Sequence, residues 1–218
     1  MALNALNAAV FIDKDGTLIE DVPYNTDPAR VRLREGAGEA LARLQQCGYR
    51  LVLVTNQPGI ALGLFEPSAL EAVWKKIADE LSAYGVVLDA IYHCPHHPEG
   101  SDSRYAGACD CRKPEPGLLL QAAREHGFDL RRSWLIGDIL DDIEAGRRAG
   151  CRTVLLAVGS ETEWRRGPLR EPDIVASTLA EAVEGILGWR PDDAAGALSS
   201  EPTDSFTVWQ SDEPEWMR

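Results

Sequence analysis

The chain has 218 residues and a formal net charge of −13, and apolar residues make up 44% of it. This length is enough for one domain with a substantial core, and the apolar share is ordinary for a soluble globular protein. A surface this acidic repels phosphate backbones, so the composition argues against a nucleic-acid partner.

The start of the chain, MALNALNAAVFIDKDG, has no basic segment and no secretory pattern. No apolar run approaches the roughly 18 residues that a membrane span needs. We therefore expect a cytoplasmic protein that has no membrane partner. In that compartment, cysteines are more often metal ligands or buried thiols than disulfides.

Apolar runs and helical periodicities alternate along the chain. The predicted strands are 8–12, 50–55, a segment within 86–94, 133–138 and 152–158. The predicted helices are 36–47, 67–84, 118–127, 140–150 and 177–187. Strands separated by helices of this length imply right-handed crossovers. The pattern predicts an α/β, Rossmann-like fold, in which a parallel sheet carries helices on both faces.

The alternation stops after Trp189. Residues 190–218 have no apolar periodicity, and they hold seven acidic residues against Arg190 and Arg218. We predict one domain over residues 1–189 and an acidic, disordered tail over residues 190–218. Trp209 and Trp216 are unusual in such a tail, and the sequence leaves open whether they dock on the domain or stay free.

Polar residues stand where the predicted strands end. Asp13 and Asp15 follow the first strand, Thr55 ends the second and Asp138 ends the fourth. Ligands of parallel sheets bind outside the carboxyl ends of the strands, so we expect these side chains to converge. Converging carboxylates require a cation, and oxygen ligands completed by water suit Mg²⁺. Together with the cation of Lys113, they predict phosphoryl transfer.

Four segments at these positions resemble the four motifs of the haloacid dehalogenase superfamily of phosphatases. They are FIDKDGTL, VTNQPGI, CRKPEPG and GDILDD, and they occur in the order of that superfamily. The resemblance implies Mg²⁺-dependent hydrolysis of a phosphomonoester through an aspartyl-phosphate intermediate. It also implies a haloacid dehalogenase-like fold without a large cap domain.

The resemblance implies a catalytic role for four residues. Asp13 corresponds to the nucleophile, and Asp15 corresponds to the general acid and base. Thr55 matches the hydroxyl that holds the phosphoryl group. Lys113 matches the cation that balances the nucleophile and the phosphate.

The resemblance also implies the magnesium ligands. They are Asp13, Asp15 through its backbone carbonyl, and Asp138. Asp142 either supports this site without binding the ion directly or is a first-turn acid favoured by the helix dipole. The sequence leaves both interpretations of Asp142 open.

The segment after the third predicted strand is polar, rich in proline and glycine, and longer than a typical loop in a compact domain. It contains CxH at Cys94 and His96 and CxC at Cys109 and Cys111. Four such ligands in two close pairs suit a closed, structural Zn²⁺ site, and the metal can order the loop in place of an apolar core. We call residues 94–111 the zinc loop.

Alternatives to these assignments exist in the sequence. His97 and His93 stand close enough to replace His96 as the fourth ligand, and the alternative to a metal is a set of unpaired thiols. Cys47 and Cys151 lie among apolar residues, so we predict that both are core thiols.

Over about residues 8–185, the motifs and the zinc loop resemble D-glycero-D-manno-heptose 1,7-bisphosphate 7-phosphatases and the related histidinol-phosphatase domains. The resemblance implies that Arg112 contacts the substrate beside Lys113. The other residues that it implies for the substrate pocket are Asp21, Tyr24, Asn56 and Gln57.

The implied reaction is removal of the 7-phosphate in the synthesis of nucleotide-activated heptose for lipopolysaccharide. The implied enzyme is a monomer that acts on a small phosphorylated sugar. The alternatives are a histidinol-phosphate phosphatase, a polynucleotide 3′-phosphatase and a non-catalytic, zinc-stabilised binding module. The charge of −13 argues against the polynucleotide substrate, and the full set of catalytic residue types argues against the binding module.

Overall fold

The computed structural model describes residues 7–161, 165 and 167–190. Within these residues, strands and helices alternate as the sequence predicts. In chain order they are β1 (Ala9–Ile12), α1 (Ala37–Gln46), β2 (Arg50–Asn56), α2 (Glu71–Ser82), β3 (Ala90–Cys94), α3 (Gly117–His126), β4 (Trp134–Gly137), α4 (Leu140–Ala149), β5 (Arg152–Leu156), β6 (Ile174–Ala176) and α5 (Leu179–Gly188).

The strands form one sheet with the order β3-β2-β1-β4-β5-β6, and every neighbouring pair is parallel. From β1 the chain winds outward to β3, crosses back to β4 and then winds outward on the other side. The strand order therefore reverses beside β1. Such a reversal opens a crevice at the carboxyl ends of the central strands, where ligands of this fold class bind. The predicted Rossmann-like sheet is confirmed.

Burial explains why the strands could be recognised from apolar runs alone. All four residues of β1 are buried, and so are residues 51–55 of β2. A central parallel strand is covered on both faces, so its sequence is continuously apolar rather than alternating. Helix α1 buries one face through Ala37, Leu41 and Leu44, which are the residues whose spacing predicts it.

One predicted helix differs in detail, and one strand has no counterpart in the prediction. The helix predicted over 67–84 begins as a 3₁₀ turn, Pro67–Leu70, and continues as α2. Strand β6 has only three residues, and Val175 in it is 53% exposed. Its three apolar residues are fewer than the roughly four to eight that make a strand recognisable from an apolar run or an alternation.

The prediction that both remaining cysteines are core thiols is half right. Cys151 is buried, as predicted, but Cys47 is exposed, so the prediction for Cys47 is wrong. Cys47 is the C-terminal cap of α1, one turn after the buried Leu44. Because the helix ends there, the periodicity that would place position 47 on the buried face no longer applies.

The chain divides into a compact unit up to Leu187 and a second unit from Gly188 onward. The predicted tail, with Trp209 and Trp216, lies outside the described residues except for Arg190. In the portion of the chain that the structure describes, none of the helices combines the length and the apolar character needed to cross a membrane.

Candidate active site and metal centre

Lys113 lies at the centre of the site, at the carboxyl ends of β1 and β2. Its Nζ contacts Oδ1 of Asp13, which directly follows β1, and lies 2.6 Å from Oδ1 of Asp142, in the first turn of α4. It also donates a hydrogen bond of 3.2 Å to the backbone carbonyl of Val54. Two carboxylates and a backbone carbonyl therefore surround the ammonium group of a side chain that is only 2% exposed.

The electrostatics of this group favour a bound cation. Burial raises the pKa of Asp13 and of Asp142 to about 6, although Lys113 opposes both shifts. Burial, followed by repulsion from Asp142, raises the pKa of Asp138 to about 6. The pKa of Lys113 is raised because the attraction of Asp13 and Asp142 outweighs the effect of its burial. Three carboxylates against one ammonium leave two negative charges when all are ionised.

The geometry also fits a divalent metal ion. One carboxylate oxygen from each of Asp13, Asp138 and Asp142 lies within 4.8 Å of the others, and all three residues are buried. Hard oxygen ligands of this kind, with room for water, suit Mg²⁺. Asp142 joins this group directly, and it is also the first-turn acid whose side chain accepts from the backbone N–H of Ile139. The two interpretations of Asp142 are thus compatible.

The carboxylate of Asp15 lies apart from that group and is held by protein side chains. Its Oδ1 is 2.9 Å from Nζ of Lys14, and its Oδ2 accepts a hydrogen bond of 3.1 Å from Nε2 of Gln57. Burial raises the pKa of Asp15, and the charge of Lys14 opposes the shift. Both oxygens of this carboxylate therefore have a fixed partner.

Thr55, Asn56 and Gln57 at the end of β2 organise the site. Nε2 of Gln57 also donates to Oγ1 of Thr55, at 3.0 Å. The Asn56 side chain donates to the carbonyl of Lys113 at 3.1 Å and accepts from its backbone N–H at 3.0 Å. Asn56 and Gln57 are predicted to bind substrate, but in this structure their amide groups are engaged by protein atoms.

A cleft of about 210 Å³ opens over these groups. Its lining consists of Asp13, Asp15, Asp21, Thr55, Asn56, Lys113, Asp138, Ile139 and Ser160. Closed pockets for whole small molecules measure roughly 300–1,000 Å³. The cleft therefore suits a phosphoryl group, with the rest of the substrate extending outward.

Only some of the residues predicted to bind substrate are described as lining this cleft. Asp21 lines it, as predicted. Arg112 and Tyr24 are not among the residues described as lining it. The Arg112 guanidinium lies 3.5 Å from the carbonyl of His96, and Tyr24 is 51% exposed. Their contacts with a substrate stay a prediction.

Sequence reasoning did not assign two polar groups that hold Asp138. Thr17 donates from Oγ1 to Oδ1 of Asp138 at 3.1 Å. Ser160 lines the cleft and forms a side-chain hydrogen bond to Asp138. Ser160 follows the fifth predicted strand, so applying the strand-end rule to that strand would have found it.

Gly16 allows Asp138 to approach the turn after β1. Its φ is +79°, and a Cβ added there would lie 1.9 Å from Oδ2 of Asp138. We expect Gly16→Ala to displace this carboxylate, weaken Mg²⁺ binding and lower kcat at least about tenfold, because small misplacements are costly in catalysis. Titration of phosphate release with Mg²⁺ measures both effects.

Gly36→Ala is the matched control for this variant. Gly36 has a similar φ of +72°, and a Cβ there would meet nothing within 4 Å. Both variants bear the strain of a left-handed backbone, about 1–2 kcal/mol, but only Gly16→Ala meets Asp138. Equal Mg²⁺ dependence in the two variants would contradict the role given to Gly16.

A second cluster lies in the zinc loop. The Sγ atom of Cys111 lies 3.0 Å from Sγ of Cys94, 3.4 Å from Sγ of Cys109 and 3.3 Å from Nδ1 of His96. The three cysteines are free thiols. Two sulfurs bound to one tetrahedral Zn²⁺ lie about 3.8 Å apart, given a Zn–S distance of about 2.3 Å. The donor set fits this metal, and its four ligand atoms lie within 4.8 Å of one another, in a cluster somewhat tighter than the loaded site would be.

The structure also separates the three candidate histidines. Nδ1 of His96 lies 3.7 Å from Sγ of Cys94. His97 instead accepts a hydrogen bond from the backbone N–H of Glu99, and the ring of His93 lies 6.1 Å from that of Trp74. Among these three, His96 is the one grouped with the cysteines.

Comparison with known proteins agrees with this architecture. A family model described as HAD-hydrolase-like matches residues 110–182. The D-glycero-beta-D-manno-heptose-1,7-bisphosphate 7-phosphatase of Photorhabdus laumondii is 38% identical over 185 residues, covering 83% of this chain and 95% of that protein. The protein of the same name from Pasteurella multocida is 43% identical over 183 residues, covering 84% and 98%. The chain belongs to this phosphatase family.

Solved structures support membership of the family. A protein from Mesorhizobium loti that is described as a HAD-like phosphatase has a TM-score of 0.73 at 34% identity, covering 84% of this chain and 88% of that one. The D,D-heptose 1,7-bisphosphate phosphatase from B. bronchiseptica has a TM-score of 0.66 at 34% identity, covering 83% and 98%, and was solved with magnesium and phosphate. The resemblance of the four motifs is thus confirmed, and the chain is a phosphatase.

Proposed function

We propose that this phosphatase removes the 7-phosphate of D-glycero-β-D-manno-heptose 1,7-bisphosphate, with Asp13 as its nucleophile. The substrate is the one in the names of its relatives, and the anomer is taken from those names. The observation that carries the proposal is the buried carboxylate of Asp13, paired with Lys113 in a cleft of phosphoryl size. We also retain the predictions that the protein is cytoplasmic and that it is a monomer.

The first step transfers the phosphoryl group to the protein. Oδ1 of Asp13 is bound by Lys113, so we assign the attack on phosphorus to Oδ2. A new bond forms between Oδ2 and phosphorus, and the bond from phosphorus to the oxygen on carbon 7 breaks. Asp15 donates a proton to that oxygen, which leaves as the sugar hydroxyl.

The second step regenerates Asp13. Asp15, now ionised, takes a proton from a water molecule, and the water oxygen attacks phosphorus. The bond to Oδ2 breaks and inorganic phosphate is released. The hydroxyl of Thr55 and the ammonium group of Lys113, both lining the cleft, are assigned to hold the phosphoryl oxygens during both steps.

Asp13, Asp138 and the backbone carbonyl of Asp15 would hold the Mg²⁺ ion, with Asp142 beside them. When bound, the ion supplies positive charge that offsets the charge of the phosphoryl group. The two negative charges left by the buried carboxylates support this assignment. The relative from B. bronchiseptica was itself solved with magnesium.

We also propose that Cys94, His96, Cys109 and Cys111 hold a structural Zn²⁺ ion. All four positions of a tetrahedral ion would be filled by protein, which leaves none for a substrate. The last of these ligands stands two residues before Lys113, so the ion would fix the chain that carries the central cation.

A substrate panel tests the function. We expect kcat/KM for the heptose bisphosphate to exceed that for histidinol phosphate and for a 3′-phosphorylated oligonucleotide by at least about a hundredfold, since matched polar sites discriminate strongly. All three rates are measured as phosphate release with Mg²⁺. A preference for histidinol phosphate would replace the proposed substrate while leaving the phosphatase chemistry in place.

A further inference from the structure

Lys14, which stands between the two motif aspartates, has no role in the steps above. Its side chain is 1% exposed, and it is not among the residues described as lining the cleft. Burying an ammonium group costs free energy unless the charge is paired. The carboxylate that pairs with it is that of Asp15, whose Oδ1 lies 2.9 Å from its Nζ.

Lys14 and Gln57 hold Asp15 from two sides. Lys14 binds Oδ1, and Nε2 of Gln57 donates to Oδ2. Gln57 is itself fixed, because it donates to Oγ1 of Thr55 and its backbone N–H donates to the carbonyl of Cys94 at 2.8 Å. With both oxygens bound, the orientation of the Asp15 carboxyl group is set by its neighbours.

The indole ring of Trp74, on α2, also lies near the ammonium group of Lys14. Nζ of Lys14 lies 5.4 Å from the centroid of the indole ring, within the range of a cation–π interaction. The same ring lies beside His93 of β3, so Trp74 is held against the sheet. Helix α2 carries none of the four motifs. Its Trp74 nevertheless contacts Lys14, which in turn pairs with Asp15, the proposed general acid.

We propose that Lys14 is a positioning residue for the reaction: seated beside Trp74, it aims the carboxyl group of Asp15 at the leaving oxygen of the substrate. The inference rests on the proposed function, in which Asp15 donates the proton to that oxygen. Lys14 itself exchanges no proton. Loss of Lys14 should therefore slow only the hydrolysis of substrates whose leaving group must receive a proton.

Two substrates with different leaving groups test this role. We expect Lys14→Met to lower kcat/KM for the heptose bisphosphate at least about tenfold, because the sugar alkoxide must be protonated as it leaves. This loss is a part of the rate enhancement that a general acid contributes. For p-nitrophenyl phosphate, whose phenolate leaves without a proton, we expect less than about a threefold change. We compare kcat/KM because it reports on the steps from free enzyme and substrate up to departure of the leaving group, which is where the proton from Asp15 acts.

Companion variants give the test its controls. Lys14→Arg keeps the charge and should restore most of the sugar-phosphate rate. Trp74→Leu removes the indole ring near Lys14 and should show the same selective loss, in smaller amount. Lys75→Met changes an exposed lysine of α2, paired with Asp79, and should leave both substrates unaffected.

The outcomes separate this inference from the proposed function. Equal losses for the two substrates in Lys14→Met, or in Trp74→Leu if the first variant does not fold, would overturn the positioning role. In an Asp15→Asn background, Lys14→Met should have no further selective effect. If Asp15→Asn itself shows no selective loss, the acid role of Asp15 fails and the positioning role of Lys14 fails with it. The substrate and the nucleophile of the proposed function are tested separately, by the substrate panel and by Asp13→Asn.

Discussion

Asp13→Asn is expected to abolish phosphate release while leaving the fold intact. The amide retains the shape of the carboxylate but does not attack phosphorus, so the covalent intermediate is not formed. Removing a nucleophile costs enzymes of this kind several orders of magnitude in kcat, on the order of 10⁴ or more. Phosphate release with Mg²⁺ and saturating substrate measures the loss.

The stability of Asp13→Asn is expected to stay the same or rise, although its activity is lost. Burial raises the pKa of Asp13 to about 6, so above that pH its ionised form opposes folding in the metal-free protein. The amide has no such charge, and Lys113 retains Asp142 as its partner. We therefore expect an unchanged or higher Tm for Asp13→Asn without Mg²⁺. Asp141→Asn, at a partly exposed acid paired with Arg170, is the control and should keep full activity.

Loss of the proposed zinc ion is expected to reduce both stability and turnover. Cys109→Ser removes one ligand of the cluster, and structural zinc contributes about 10–16 kcal/mol to the folding of small zinc domains. The zinc loop has no helix or strand after β3 in the residues described, so without the metal it would rely on turns and isolated backbone hydrogen bonds. We expect this variant to have a lower Tm and a lower zinc content than the wild-type protein, both measured on the same preparation.

Turnover should fall because the loop leads directly into Lys113. The Asn56 side chain holds the backbone of Lys113 from one side, and Cys111 anchors the chain from the other. A displacement of about 1 Å at such a group lowers rates up to about a hundredfold. Cys47→Ser makes the same substitution at an exposed thiol outside the cluster and should change nothing. Full activity in a zinc-free Cys109→Ser protein would contradict the structural role.

The sequence predicts most of this fold because its central strands are buried on both faces. Such strands appear as apolar runs, and the glycines that end the helices mark the boundaries between elements. Gly127 and Gly150 do adopt the left-handed conformation at the ends of α3 and α4. Strand β6 escaped prediction because three residues with one exposed valine carry too little pattern.

The motifs predict which residues meet at the site, but not their partners. Convergence of Asp13 and Asp138 follows from parallel strands that end at one edge of the sheet. The pairing of Asp15 with Lys14 depends on how a tight turn brings two adjacent side chains together, which spacing does not encode. The use of Asn56 to hold the backbone of Lys113 depends on a contact between segments far apart in the chain.

The most direct test of the proposal is to follow hydrolysis of D-glycero-β-D-manno-heptose 1,7-bisphosphate by ³¹P NMR in the presence of Mg²⁺. We predict that the resonance of the 7-phosphate ester disappears, that one equivalent of inorganic phosphate appears and that the phosphate on carbon 1 remains. Release of the phosphate on carbon 1, or no release by the zinc-loaded wild-type protein, would contradict it.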